Sequence, residues 1–221
     1  MKWNAICFFV LVAFGVHPIC LTQTPITTEL LTADYEVTEE RILIDGNKLQ
    51  RCQDYKWFRD GAGRTRLEQG PFVTITDPTT KQIFLVDPRG KVARRLTMPS
   101  HSDTGSRVDA TTQLNLPPGL SPPTEMPLGI QVLEGYETVG TQFTTSIPAG
   151  SRLGNSQPLV RTLQLWRSAQ LRLPLLMIVE DPLIGKKTVR YKNIRVGSHL
   201  SDTLFQVPAN YRIVEVERAT R

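Results

Sequence analysis

Three times in this chain an Asp-Pro pair closes an apolar run: "DPTT" from Asp77, "DPRG" from Asp87 and "DPLIG" from Asp181. Proline fixes the φ that the second position of a turn needs, and the aspartate before it can cap the same turn with its side chain. The segments between these stops are too short for helices of ordinary length: "PFVTIT", "KQIFLV" and "KVARRLTM". Strands of that length, with turns ten residues apart as at Asp77 and Asp87, are the signature of an antiparallel meander. The 16 prolines and 15 glycines among 221 residues fit many turns and few long helices.

The same pattern extends along the chain. "YEVTEERILID" reads as a strand, and "KLQRCQDYKWFRDGAGRTRLEQ" as a hairpin turning on Asp60-Gly61-Ala62-Gly63. Beyond residue 128, "IQVLEGYETVG" and "TQFTTSIPAG" read as a strand pair around Gly140. "LVRTLQLWRS" and "LRLPLLMIVED" follow, then "KKTVRYKNIRV". In the second of these, apolar side chains occupy both faces of the middle, which marks a strand covered on both sides or lining a cavity on one. The best helical candidate is "TPITTELLTADY", and "SDTLF" supplies one turn with Ser201 or Asp202 as N-cap. After it Pro208 breaks the chain, and "YRIVEV" returns as a last strand that buries Tyr211, Ile213 and Val214. The expected fold is therefore mainly β: a strongly bent antiparallel sheet, a half-barrel, with one or two short helices.

Two stretches stand apart from this pattern. Residues 1–22 carry Lys2 and then an unbroken apolar run from Ala5 to Val16, which has the length of a signal-peptide core and is short for a membrane span. Ile19 directly before Cys20 disfavours lipid attachment at that cysteine. Residues 98–128 hold six prolines with little apolar periodicity, and read as a Pro-rich loop or lid, or as a disordered segment. A single domain over 23–221 is expected, because neither half has strands enough to bury a core alone. The net charge of +5 is a mild basic excess with no dense Lys/Arg run. It allows transient contact with a membrane surface and gives no nucleic-acid signal.

Signatures of catalysis are missing from the sequence. His101 and His199 lie in polar loops, and there is no H-E-x-x-H, G-x-S-x-G or C-x-x-C. "DGAGRT" lacks the lysine and following helix of a phosphate loop, and Asp77, Asp87 and Asp181 have turns to make. Cys52 reads as a small buried hydrophobe. No enzyme activity, cofactor or metal is expected. The functional candidates are apolar: Phe84, Phe143, Leu165, Trp166, Leu173, Leu175, Met177, Val179 and Tyr191, as the lining of a lipid-binding cavity.

The segment "LQLWRSAQLRLPLLMIVEDPLIGKKTVRYKNIRVGSHLSDTLFQVPANY" resembles the C-terminal half of LolA/RseB-like periplasmic proteins, the lipoprotein-carrier superfamily. Trp166, the Leu173-Pro174 pair, the Asn193-Ile194 pair, Leu204, Phe205, Val207, Pro208 and Tyr211 carry the match in order and approximate spacing. The resemblance implies an incomplete β-barrel around an apolar cavity for a lipid or for the acyl chain of a lipoprotein. It also implies export to the periplasm, with an acylated protein or an envelope protein as partner. The chain departs from the carriers in having little helix to plug the half-barrel. A structural or signalling module that binds a protein partner, and has no ligand cavity, is the alternative.

Overall fold

The computed structural model describes residues 29–98, 123–151, 153–197 and 199–216. The segment 1–22 and most of the Pro-rich stretch, residues 99–122, lie outside the described residues. Twelve strands form one sheet that is not closed into a barrel. In chain order they are β1 (Leu31–Ile42), β2 (Lys48–Arg59), β3 (Thr65–Gln69), β4 (Phe72–Asp77), β5 (Gln82–Asp87), β6 (Val92–Thr97), β7 (Thr124–Leu133), β8 (Tyr136–Ile147), β9 (Leu159–Ser168), β10 (Leu173–Asp181), β11 (Gly185–Val196) and β12 (Arg212–Glu215). Their order across the sheet is β12-β6-β5-β4-β3-β2-β1-β11-β10-β9-β8-β7. A one-turn 3-10 helix, Asp202–Phe205, is the one helix among the described residues. All pairings are antiparallel except that of β12 with β6, which is parallel.

The Asp-Pro turns form as the sequence predicts. Asp77 Oδ1 accepts from the amides of Thr79 (2.8 Å) and Thr80 (3.2 Å), and Asp87 Oδ1 from those of Arg89 (3.0 Å) and Gly90 (3.2 Å). Asp181 Oδ1 accepts from the amide of Leu183 at 2.8 Å. Four residues after each aspartate comes a left-handed residue: Lys81 (φ 54°), Lys91 (φ 48°) and Gly185 (φ 98°). Only the third must be glycine on steric grounds. A Cβ there would lie 2.2 Å from the carbonyl oxygen of Glu40 on the neighbouring strand.

Several expectations are overturned. "TPITTELLTADY" is not helical over its described part, because β1 begins at Leu31 and pairs with both β2 and β11; two flanking strands outweigh a weak helical preference. β7 begins at Thr124, inside the stretch read as a Pro-rich loop, and keeps Pro127 by means of a register shift between Pro127 and Gly129. Gly140 is no turn but lies mid-strand in β8, opposite Trp166. A Cβ on it would stand 2.6 Å from the indole ring, so glycine serves here to let a side chain lie on the backbone. Ile213 is 47% exposed, since β12 adds to the outer edge beside β6. Cys52 is exposed rather than buried.

The registers divide the sheet into two faces, because residues directly opposite each other across a ladder share a face. The face of Tyr35, Val37, Trp57 and Tyr191 is called front here, and that of Asp34, Glu36 and Lys56 back. The core changes face along the sheet. From β2 to β9 the buried apolar side chains lie mainly on the front: one cluster gathers Leu31, Ala33, Trp57, Leu171, Leu173 and Leu175, and another Leu163 and Leu165. From β4 to β6 the buried cluster is Val73, Ile75, Val86 and Ala93, and the pairings Lys56↔Glu68↔Val73↔Val86 put it on the back. The C-terminal segment covers it. Ser201 caps the one-turn helix, Phe205 is buried, Arg66 Nη1 donates to the Leu204 carbonyl at 3.0 Å, and Val207 and Tyr211 pack on the cluster.

Candidate functional site

The front face carries two of the three buried apolar clusters. At its centre Tyr191 packs edge-on against both Tyr35 and Trp57, with ring centroids 5.1 Å apart in each case and interplanar angles of 79° and 83°. These three side chains come from β11, β1 and β2, and the pairing Tyr35↔Tyr191 sets them on one face. Edge-to-face contacts of this kind add a specific geometry to the burial. Burial above all, and Tyr35 beside it, push the Tyr191 phenol well above the usual tyrosine range. Burial likewise raises Tyr35. Next to them Arg59 carries a charge into the apolar cluster. Its Nη2 donates to the Leu171 carbonyl at 2.8 Å, and its guanidinium lies 5.8 Å from the Trp57 ring.

Exposed apolar side chains flank this centre on both sides. Toward one end of the sheet, Ile130 (67% exposed) and Val132 (69%) pair with Val139 and Glu137, while Leu133 and Tyr136, which alternate with them, pack on the central cluster. Toward the other, Phe72 and Leu85 follow Leu67 on the same face and are also exposed. Exposed apolar side chains thus lie on β7 and on β4 and β5, to either side of a buried aromatic centre, with polar side chains such as Gln53, Thr74 and Glu137 between them.

The nine sequence candidates do not form one lining. Leu173, Leu175 and Tyr191 belong to the central front cluster. Leu165, Phe143, Met177 and Val179 form the next patch of that face with Leu163. Phe84 and Trp166 lie on the back. Phe84 pairs with Ile75 and packs in the back cluster, while Trp166 is opposite Leu176 and lies over Gly140. Trp57 and Tyr35 are the aromatics at the centre of the front that the candidate set lacks, and Tyr55 and Phe72 lie on the same face. The alternation around Trp57 and Tyr35 in "YKWF" and "ADYEV" is visible in the sequence, but which face becomes the apolar one is fixed only by pairing.

Polar groups cluster on the back. Asp34 accepts from the Lys56 ammonium and, at 2.7 Å, from the Asn193 amide, and these bonds hold its carboxyl below the usual aspartate range. Lys192 pairs with Glu36. The described residues carry one histidine, His199, which is exposed. Among the described residues no three His, Cys, Asp or Glu side chains gather as a metal site, and no helix is long and apolar enough to cross a membrane.

No family model matches the chain, and no curated protein matches it. Among solved structures it is similar to the complex of MucA and MucB from Pseudomonas aeruginosa, at 12% identity over 85% of this chain and 59% of that one, with a TM-score of 0.39. A LolA superfamily protein from Nitrosomonas europaea is similar at 11% identity over 81% and 90%, TM-score 0.37. An uncharacterized conserved protein from Thermus thermophilus is similar at 10% identity over 83% and 90%, TM-score 0.42. The chain spans less than two thirds of the MucB chains, 57% and 59% in two structures. At scores this low, the architecture itself rests on the strand order and registers given above.

Proposed function

We propose that this protein is a non-catalytic binding protein of the cell envelope, exported with removal of residues 1–22, that holds a lipid or the acyl chain of a lipoprotein against its front face. The observation that carries the reading is the aromatic centre at Tyr35, Trp57 and Tyr191 in an unclosed sheet whose flanking strands expose apolar side chains. An alkyl chain lying along such a face exchanges water for apolar contact at about 25 cal/mol per Å2. The exposed flanks at Ile130 and Val132 and at Phe72 and Leu85 are where that gain is still available.

The test is native mass spectrometry of the exported protein purified without detergent, with lipid analysis of the organic extract. The expected result is added mass in the phospholipid or fatty-acid range that is lost on denaturation. Uptake of a fluorescent fatty acid should fall in Val132→Glu/Leu85→Glu and persist in Val160→Glu, whose side chain is exposed on the back. A bare mass that stays bare after incubation with lipid overturns the reading. A second reading then gains, in which a protein partner adds a strand along β7. That strand ends the sheet order and exposes Met126, Ile130 and Val132.

A further inference from the structure

Two hairpin turns project side by side from one end of the sheet, and both present large apolar side chains to solvent. In the β1–β2 turn these are Ile42 (76% exposed), Leu43 and Ile44, the last fully exposed, with Leu49 at the start of β2. In the β10–β11 turn they are Leu183 and Ile184 (62%). Scattered exposed apolar residues are ordinary, but six gathered at one end of a sheet are not.

These tips are built rather than loose. The amide of Leu43 donates to the Asn47 carbonyl at 2.8 Å and that of Gly46 to the Leu43 carbonyl at 2.9 Å, while Asp45 accepts from both the amide and the side chain of Asn47. The second turn is held from beneath by Asp181, whose carboxylate is buried and bonded to Arg161. The two turns are also fastened together. Arg41 Nη2 donates to the Leu183 carbonyl at 3.0 Å, and Gly185 approaches the Glu40 backbone too closely for any side chain. Ile44 and Ile184 are therefore displayed on a rigid pair of supports.

Cations stand one step behind the apolar tips. Lys48, Lys186 and Lys187 are near Glu40, Glu180 and Glu39 at 2.9, 3.1 and 3.7 Å. Arg41 and Arg51 have no acidic partner among the described residues. Between the tips lies a concavity of about 390 Å3 with Leu49 and Ile184 as its apolar lining, Arg41, Arg51 and Lys187 among its cations, and Glu39 and Glu40 as its acids, outnumbered by the cations. The pairings Arg41↔Leu49 and Glu39↔Arg51 set it on the front face, two residues along β1 from Val37. The acid at the apex of the first turn, Asp45, has its carboxylate engaged by Asn47.

From this layering, apolar apex and basic collar, we propose that the paired tips are a membrane-docking site. Ile44, Leu183 and Ile184 enter the headgroup boundary of a bilayer, and Arg41, Arg51 and Lys187 meet the phosphates of anionic lipids. Side chains of this kind at a membrane surface gain both apolar burial and attraction to anionic headgroups. The site goes beyond the lipid-holding reading and does not depend on it, although it opens onto the same face.

The test is flotation of the full exported protein with vesicles of phosphatidylglycerol and phosphatidylethanolamine, against vesicles of phosphatidylcholine alone. The expected result is binding to the anionic vesicles that falls by about tenfold or more in Ile44→Glu/Ile184→Glu, since two apolar insertions are lost. Arg51→Glu/Lys187→Glu should lower it about fivefold or more, with little change on phosphatidylcholine. Ile44→Trp should show a blue-shifted fluorescence on mixing with the anionic vesicles. Circular dichroism checks that each variant is folded. Absence of binding, or binding indifferent to the tip substitutions, overturns the proposal. So does concentration-dependent self-association that Ile44→Glu abolishes, which would make the tips an interface between copies. Fatty-acid uptake without vesicles is measured in the same variants: its survival when docking is lost separates the two readings.

Discussion

The two halves of this sheet solve the same problem with opposite faces. Between β4 and β6 the buried cluster lies on the back and is covered by the chain itself, through Val207 and Tyr211 beside the buried Phe205. Between β2 and β9 it lies on the front, where Tyr35, Trp57 and Tyr191 pack on one another and the flanks stay open. One half is finished as a core. The other keeps exposed apolar side chains beside its buried centre, which is why the proposed binding role is assigned to it.

The most severe way to break the comparison is to remove the cover from the closed half. Phe205→Ala should destabilise the protein by about 4 kcal/mol, as for a buried phenylalanine truncated to alanine, read as a shift of the urea midpoint. Loss well under half of that would mean that the C-terminal segment is an accessory and that the halves differ less than their clusters suggest. The next test probes the back of the other half. Gly140→Ala forces a methyl group into the Trp166 ring and should cost about 2 kcal/mol by overpacking. The same change made in a Trp166→Ala background should cost far less, and a double-mutant cycle measures the difference.

The front centre should also differ from the back cluster in its response to base. Tyr191 is raised in the folded state, so its stabilising contribution is whole below the unfolded tyrosine value and is lost as the pH rises above about 10. Unfolding free energy should fall there by about 1.4 kcal/mol per pH unit from this group. Tyr191→Phe should flatten the slope. The smallest effect concerns acid. Asp34 is lowered in the folded state by Lys56 and Asn193, so its contribution is present at neutral pH and is lost on acidification through its folded value. For so exposed a group the difference between wild type and Asp34→Asn should stay below about 1 kcal/mol, and should vanish once the carboxyl is protonated.

Much of this architecture can be read from local chemistry. The Asp-Pro turns, the hairpin at Asp60, the meander from β4 to β6 and the turn at Ser201 each rest on a few adjacent residues, and each forms as expected. What is not legible depends on partners far along the chain. Gly140 looks like a turn residue until Trp166 is seen lying across it. Leu31 looks helical until Arg59 and Val196 flank it. The faces of Phe84 and Trp166 follow from the pairings Ile75↔Phe84 and Leu176↔Trp166, and elsewhere the registers shift, between Thr32 and Asp34 and between Pro174 and Leu176. Each shift resets the alternation, so period-two counting within one strand cannot tell which of two apolar rows will share a side with another strand's.

The joining of β12 to β6 has a consequence for the timing of assembly. Arg95 and Glu215, which pair across that ladder, are 120 residues apart in sequence. The partners on β4 to β6 are synthesised early, yet their covering side chains arrive only with residues 205–211. Until then the nascent chain carries a greasy patch and an unpaired β6 edge together, a combination that invites sticking to other chains. A chaperone that holds the emerging polypeptide would have most to protect there, between the making of Val92 and the making of Glu215.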